Sequence, residues 1–187
     1  MTTADFFARW RVRLGYLLTV VVLILARPTP RAILVGGLIG LAGLSIRASA
    51  AGFLHKQEIL TTIGPYAYTR NPLYFGSSLL TLGAGIAMRS WIGGFLLLVY
   101  FSLVYSFVMR REEGELRRKH GSAFDAYAAS VPLFFPRFTL RAQSGGPSGS
   151  FSWAQYKKNH EYQAALGFVL LLIGLLLIWY LRTIGRS

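Results

Sequence analysis

Cysteine is absent from the 187-residue chain, so neither a disulfide nor a thiolate metal site can contribute to its folding or chemistry. The three histidines, His55, His120 and His160, lie far apart and form no pair at the spacing of helical metal ligands. Acidic residues are also scarce, with 7 Asp and Glu against 20 Lys and Arg. We therefore expect no bound metal, and the basic excess needs an explanation.

Apolar residues dominate the chain. They make up 53% of it, the mean hydropathy is +0.46, and apolar runs near the length needed to cross a bilayer recur. This pattern predicts an all-α fold, a polytopic transmembrane helical bundle of about five spans, at residues 14–26, 32–54, 73–88, 91–109 and 164–181. Because residues 23–25 lack the small residues of a signal-peptidase site, we expect the first span to be a retained helix that begins near Trp10.

The formal net charge of +13 is distributed in a way that favours one membrane topology. If the N-terminus is cytoplasmic, fourteen Lys and Arg residues fall on the cytoplasmic side and five on the other, as the positive-inside rule predicts. This placement accounts for the charge without nucleic acid as a partner. We expect an integral protein of the inner, cytoplasmic membrane, surrounded by membrane lipid, with its N-terminus and active site at the cytoplasmic face.

The composition of the chain changes once. Residues 144–150, SGGPSGS, predict a flexible linker. It would join a membrane core, residues 1–143, to a C-terminal segment, residues 151–187, that contains an aromatic, basic interfacial stretch and an additional transmembrane helix. We expect this segment to dock at the cytoplasmic interface near the site.

The last helix carries two further expectations. Asn159 is the expected N-cap, with Glu161 in the first turn. Gly167 and Gly174 lie on nearly one face and predict packing against a helix of this chain or of a second copy. We favour packing that walls a lipid-side entrance. Independent dimerisation and a plain membrane anchor are the alternatives, and the oligomeric state stays open.

An amphipathic stretch follows the fourth span. Its apolar-face residues recur at spacings of four, four, three and four, which is helical. They are Leu116, His120, Phe124, Tyr127 and Val131. We expect a cytoplasmic interfacial helix that lies on the membrane, either as a basic anchor on anionic lipid or as part of a site.

Residues 64–76, GPYAYTRNPLYFG, concentrate polar and aromatic groups at the mouth of the third span. Pro65 and Pro72 disfavour helix at the residues before them, so we expect a shaped loop and then a helix from Pro72. Arg70 is then held at a helix mouth, and Gly76 allows another group to approach the backbone closely. An interfacial tyrosine belt would account for the tyrosines and prolines without a ligand.

Three of the charged side chains in or beside the apolar spans are candidates for a site. Arg47 is about 10 Å from the end of the second span at 1.5 Å per residue. It is either a candidate substrate-binding residue, paired with an acidic ligand or with Glu112 or Glu113, or a side chain that reaches the headgroups. Glu112 and Glu113 are adjacent carboxylates that repel each other unless cations or hydroxyl donors attend them. A solvated charge run is the alternative for this pair.

Two motifs together carry a family resemblance. GPYAYTRNPLYFG and, after two helices, REEGELRRKHGSAFDAYAASVPLFFP resemble the integral-membrane methyltransferases that include isoprenylcysteine carboxyl methyltransferase and phospholipid N-methyltransferases. The family patterns are RNPxYxG or RHPxYxG, then EExxLxxxFGxxYxxY and VP with a later proline. His120 and Phe124 depart from them. The matching residues are Arg70, Asn71, Pro72, Tyr74, Gly76, Glu112, Glu113, Leu116, Gly121, Tyr127, Val131, Pro132 and Pro136.

The resemblance implies S-adenosylmethionine as cofactor at the cytoplasmic helix ends and a lipophilic methyl acceptor that enters from the lipid. Arg70 and Glu113 would be the catalytic residues. The methionine carboxylate suits the Arg70 fork, a glutamate suits the ribose or amino group, and aromatic faces suit the sulfonium. The implied cofactor-binding residues are Gly64, Pro65, Tyr66, Tyr68, Arg70, Asn71, Pro72, Tyr74, Gly76, Glu112, Glu113 and Tyr127.

The methyl acceptor stays open among an isoprenylcysteine-like carboxylate, a phospholipid amine and a hydrophobic thiol. An NADPH-dependent enzyme similar to membrane sterol reductases is the alternative within catalysis, and it would need extra cations for a 2′-phosphate. A non-catalytic membrane partner protein is the alternative outside catalysis.

Overall fold

A computed structural model describes residues 3–54, 59–137 and 150–185, with side chains from residue 13 onward. All regular structure in these ranges is helical, which confirms the predicted all-α fold. A short 3₁₀ turn, Gly64–Ala67, precedes the third helix. The α-helices are α1 (Thr3–Leu25), α2 (Pro30–Phe53), α3 (Pro72–Met88), α4 (Trp91–His120), α5 (Ser122–Ser130), α6 (Trp153–Lys158) and α7 (Tyr162–Ile184).

Three of the described helices, α2, α4 and α7, are long and apolar enough to cross a membrane. Two shorter apolar helices, Arg13–Leu25 within α1 and the whole of α3, lie where the other two spans are expected. A bundle of five spans is compatible with this arrangement, and the number itself stays a prediction. Helix α1 begins at Thr3, ahead of the expected start near Trp10.

Local sequence signals set the helix starts. Pro30 and Pro72 occupy the first turns of α2 and α3, where the N–H that proline lacks would have no intrahelical partner. Thr29 and Ser90 cap α2 and α4, because their side-chain oxygens accept hydrogen bonds from the first turns. The predicted start of the third span at Pro72 is confirmed.

Glycines bring α2 and α3 into close contact. A Cβ atom on Gly43 would lie 2.6 Å from the Gly76 carbonyl oxygen, and one on Gly76 would lie 2.7 Å from the Gly43 oxygen. Farther along the two helices, Gly36 and Gly83 approach each other in the same way. The group that approaches the backbone of Gly76 is therefore helix α2, so this glycine serves helix packing.

Helix α7 packs on α2 through bulky side chains. The Phe168 ring fills the space beside Gly40, and Leu175 is fully buried in the main apolar cluster. The predicted packing through Gly167 and Gly174 is wrong within this chain, because a Cβ on either glycine would meet no described atom of another element within 4 Å. Helix α2 supplies the glycine gaps at this interface, so α7 supplies the side chains that fill them.

The C-terminal segment is attached to the end of α2. The Phe151 ring lies against Gly52, and the Ser152 N–H donates to the Gly52 carbonyl over 3.0 Å. Residues 144–149 of the predicted linker lie outside the described residues, so the division into core, linker and appendage stays a prediction.

Asn159 plays a different part from the one expected. It ends α6, and its side-chain amide donates to the carbonyls of Ala51 (2.8 Å) and Leu54 (3.0 Å). The N-cap of α7 is Glu161, which makes no side-chain cap hydrogen bond. The predicted N-cap at Asn159 is therefore wrong, because its side chain satisfies the last carbonyls of α2 instead.

The amphipathic stretch after the fourth span forms two helices. Helix α4 continues to His120, and Gly121 ends it with a φ of 52°, a value that favours glycine. Phe124 and Tyr127 of α5 are buried together with Val131, as the predicted apolar face requires. A continuous interfacial helix from residue 116 is wrong at its start, because the first two members of that face belong to α4.

Candidate functional site

The two sequence motifs meet in the structure. The middle of the first motif, residues 68–71, is hydrogen-bonded along its length to residues 132–137, where the second motif ends. The bonds are Arg70 N to Pro132 O (2.9 Å), Arg137 N to Tyr68 O (3.0 Å), Thr69 Oγ1 to Phe134 O (2.9 Å) and Asn71 Nδ2 to Leu133 O (3.0 Å). These bonds hold Arg70 in place at the start of α3.

A cavity of about 470 Å³ lies beside this junction. The start of α3, the C-terminal end of α4 and helix α5 form much of its wall. Its charged lining among the described residues consists of Arg47, Arg70, Lys119, Glu112, Glu113, Glu115 and Glu161. Four of the chain's seven acidic residues therefore line one cavity, against three of its twenty Lys and Arg residues. In a chain with a net charge of +13, this acidic cavity suits a ligand that carries positive charge.

Arg70 and Glu113 pair at the cavity wall. Arg70 Nη1 lies 2.6 Å from Glu113 Oε1, and the side chains are only 15% and 24% exposed. The two groups are not aligned for a hydrogen bond, and Arg70 Nε is buried with no acceptor among the described residues. Because a buried N–H without a partner is costly, this donor suits an acidic group of a ligand.

Tyr74 joins the cavity to the aromatic side chains of α4. Its hydroxyl donates to Glu112 Oε1 over 2.7 Å, and its ring lies 5.2 Å from that of Tyr105. Tyr105 in turn stacks on Phe101 at 4.6 Å. The two adjacent carboxylates thus have different partners. Glu112 accepts a hydrogen bond from the Tyr74 hydroxyl, and Glu113 lies against the Arg70 guanidinium.

Two buried tyrosines, Tyr66 and Tyr127, line the first cavity from elements outside the apolar spans. The Tyr127 hydroxyl donates to the Tyr66 carbonyl over 2.7 Å. Burial raises the pKa of both phenols above the usual range, and nearby groups that include Glu161 and Glu112 raise that of Tyr66 further. Both are therefore neutral at physiological pH. Because the folded pKa is the higher one, the stability they contribute is complete near neutrality and is lost only in strongly alkaline solution.

A second cavity of about 490 Å³ adjoins the first between α1, α3 and α4. Arg47 and Tyr74 line both cavities. The rest of its lining is mostly apolar or aromatic and includes Tyr16, Leu18, Leu97, Tyr100, Phe101 and Tyr105. Arg47 and Tyr74 thus border both the acidic cavity and the mostly apolar one.

Arg47 is held by the C-terminal segment. Its Nη2 and Nε donate to Glu161 Oε1 (2.7 Å) and Oε2 (3.0 Å), and its Nη1 donates to the Leu73 carbonyl (3.3 Å) and the Ser77 hydroxyl. Pairing of Arg47 with Glu112 or Glu113 is therefore wrong. Those carboxylates lie against Tyr74 and Arg70, whereas docking of α6 and α7 brings Glu161 to the guanidinium.

Comparison with known proteins agrees with the motifs. The sequence profile of the family described as phospholipid methyltransferase matches residues 10–123, well over half of the chain. The chain belongs to the phospholipid methyltransferase family. The match begins within α1, well before the first motif. It ends at residue 123, inside the second motif and before the C-terminal segment.

Curated relatives of this family member cover only part of its length. It is 38% identical over 85 residues to the nickel-cobalt-cadmium resistance protein NccN of Alcaligenes xylosoxydans xylosoxydans and to the cobalt-zinc-cadmium resistance protein CzcN of Cupriavidus metallidurans, over 46% of this chain and 39% of each relative. It is 33% identical over 99 residues to the protein-S-isoprenylcysteine O-methyltransferase of Schizosaccharomyces pombe, over 51% of this chain and 40% of that protein. The chain thus spans about two fifths of the relatives it matches. No solved structure matches.

Nine of the thirteen residues predicted from the sequence to form the site line the first cavity. They are Arg47, Tyr66, Arg70, Asn71, Pro72, Tyr74, Glu112, Glu113 and Tyr127. Four others, Gly64, Pro65, Tyr68 and Gly76, are not among its lining residues. Gly64 instead adopts a φ of 60° against the Phe53 ring, where a side chain would be strained. The described lining thus includes most of the predicted polar site residues. Gly64 serves a backbone turn with positive φ, and Gly76 serves the packing of α2 on α3.

Among the charged residues, sequence reasoning missed Glu115, Lys119 and Glu161 as members of this lining. For Glu161 a usable signal exists. It is the only acidic residue of the C-terminal segment, and Arg47 is the one charge well inside an apolar span. Charge complementarity between two such isolated residues would have suggested their contact.

Proposed function

We propose that the protein is an S-adenosylmethionine-dependent methyltransferase that acts on a lipophilic acceptor at the cytoplasmic face of the membrane. The observation that carries this proposal is the acidic cavity at the junction of the two family motifs, with the buried Nε–H of Arg70 in its wall. The cofactor combines a carboxylate with a sulfonium and an ammonium, so it presents one negative group and two positive ones. The lining offers a complement to each.

The residues present fit the cofactor group by group. Arg70 Nε suits the methionine carboxylate, because a guanidinium N–H to an anion is a strong hydrogen bond. Glu112 and Glu113 suit the ammonium or the ribose hydroxyls, and the faces of Tyr74 and Tyr127 suit the sulfonium. The cofactor supplies a methyl group that its sulfonium already activates. The protein then has to bind, align and exclude water, and alignment alone contributes about 7 to 11 kcal/mol in favourable systems.

The acceptor meets the cofactor beside Arg47 and Tyr74 in this proposal, because these residues border the second, apolar cavity. An isoprenylcysteine-like carboxylate, a phospholipid amine and a hydrophobic thiol remain its candidate classes. A carboxylate or thiolate needs no general base. An amine has to lose a proton, for which Glu113 is the candidate. The name of the Schizosaccharomyces pombe relative supports a lipid-linked acceptor.

Calorimetry on the purified protein tests the cofactor assignment. We expect both S-adenosylmethionine and S-adenosylhomocysteine to bind at micromolar or tighter dissociation constants, which correspond to about 8 kcal/mol. NADPH is the comparison ligand, since it separates this proposal from a reductase. Absence of heat and of a thermal shift with both sulfur ligands, in detergent and in lipid, would overturn the proposal. Tight binding of NADPH alone would favour the reductase.

A further inference from the structure

Glu161 lies outside the part of the chain that the family profile matches, yet it lines the first cavity. Its carboxylate accepts hydrogen bonds from Nε and Nη2 of Arg47. The side chains of Glu161 and Arg47 are only 10% and 18% exposed. The C-terminal segment therefore contributes a charged group to a site that is otherwise built from residues of the core.

Arg47 transmits this contact to α3. Its remaining nitrogen donates to the Leu73 carbonyl and the Ser77 hydroxyl in the first turns of that helix. The same turns carry Tyr74, whose hydroxyl donates to Glu112. Polar contacts thus link Glu161 to the first turns of α3 through Arg47, and the same turns of α3 hold Glu112 through Tyr74.

Contacts other than the Glu161 carboxylate also hold the C-terminal segment on α2. Phe151 against Gly52 and the Asn159 amide on the α2 carbonyls already fasten it. Without the carboxylate, the Arg47 cation would lose its counter-charge in a poorly solvated place and would be drawn towards Glu112 and Glu113. That movement would disturb the carboxylates that face the ligand.

We propose that Glu161 is a positioning residue of the site, which holds Arg47 in place between the two cavities and so keeps Glu112 and Glu113 available to the cofactor. The inference rests on the proposed function. On this proposal, residues of both the family core and the C-terminal segment form the site, and the segment does more than anchor the protein in the membrane.

The test compares full-length variants in lipid nanodiscs, with S-adenosylhomocysteine binding measured by calorimetry below the unfolding temperature of every variant. We expect Glu161→Gln to weaken binding about tenfold, a usual size for coupling between linked elements. Glu161→Asp keeps the charge and should recover part of the loss. Asn159→Ala is the matched control, because it loosens the same segment without touching Arg47, and it should lower the unfolding temperature but leave binding unchanged.

Three results would count against this role. Wild-type affinity in Glu161→Gln would overturn it. Equal losses of affinity in Glu161→Gln and Asn159→Ala would also overturn it, because they would show a general loosening of the segment. Failure of Glu161→Asp to bind better than Glu161→Gln would contradict a role for the charge. If the wild-type protein itself binds no S-adenosylhomocysteine, the proposed function fails and the positioning role falls with it.

Discussion

Arg70→Ala should weaken S-adenosylmethionine binding about ten- to hundredfold while the helices stay folded. The expected loss reflects a hydrogen bond to a charged ligand group, about 1.5 to 3 kcal/mol. Arg70 is mostly buried, and its Nε has no acceptor among the described residues, so the side chain has a donor that a ligand would satisfy. Arg70→Lys should bind poorly too, because lysine lacks the planar fork. Calorimetry measures the affinity, and circular dichroism checks the fold.

Arg118→Ala is the matched control for this substitution. Arg118 is an exposed cation on α4 that is not among the cavity-lining residues. Its removal changes the net charge by the same amount without changing the described site. Wild-type affinity in Arg70→Ala, or an equal loss in Arg118→Ala, would contradict the assigned role, because either result would leave only a general charge effect.

Gly43→Ala should destabilise the protein by about 1 to 3 kcal/mol, the usual cost of extra volume in a packed interface. The added methyl would lie 2.6 Å from the Gly76 carbonyl oxygen and 3.0 Å from Leu80 N, and backbone atoms cannot turn aside as side chains do. The helices would have to separate at the level of Arg47. We expect a lower unfolding temperature in lipid nanodiscs and weaker cofactor binding.

The open face of α7 supplies the control for this change. Gly167→Ala adds the same methyl to a membrane helix, where no described atom of another element lies within 4 Å. Alanine is also the better helix former, so stability should be unchanged or slightly higher. An equal loss in the two variants would mean that added volume at Gly43 is not the cause. A loss in Gly167→Ala alone would indicate a contact with a second copy.

Local rules were sufficient for much of the fold. Pro72 cannot donate a backbone hydrogen bond and its φ suits a first helical turn, so the start of α3 could be read directly. The apolar runs predicted the positions of the membrane helices, because a helix needs a long apolar stretch to cross a bilayer. The polar residues of the two motifs were also expected together, and Tyr74, Arg70, Glu112 and Glu113 do line one cavity.

Contacts between distant segments escaped the same reasoning. Arg47 and Glu161 are 114 positions apart, and nothing near Arg47 in sequence specifies which carboxylate it meets. Likewise, Gly167 and Gly174 suggested a packing face, but the partner helix already offers a gap at Gly40 and so takes the Phe168 ring. Such choices depend on the shape of two surfaces together, and the pattern of one helix describes only one of them.

Transfer of a labelled methyl group is the most direct test of the central claim. The purified protein is placed in vesicles made from a total membrane extract, supplied with methyl-labelled S-adenosylmethionine, and the lipid phase is then extracted and analysed by mass spectrometry. We predict label in one class of lipophilic molecule, an equal amount of S-adenosylhomocysteine, and much less of both products with Arg70→Ala at the same cofactor concentration. Label in the lipid phase no higher than in protein-free vesicles, from protein that binds the cofactor, would contradict methyl transfer to a lipophilic acceptor.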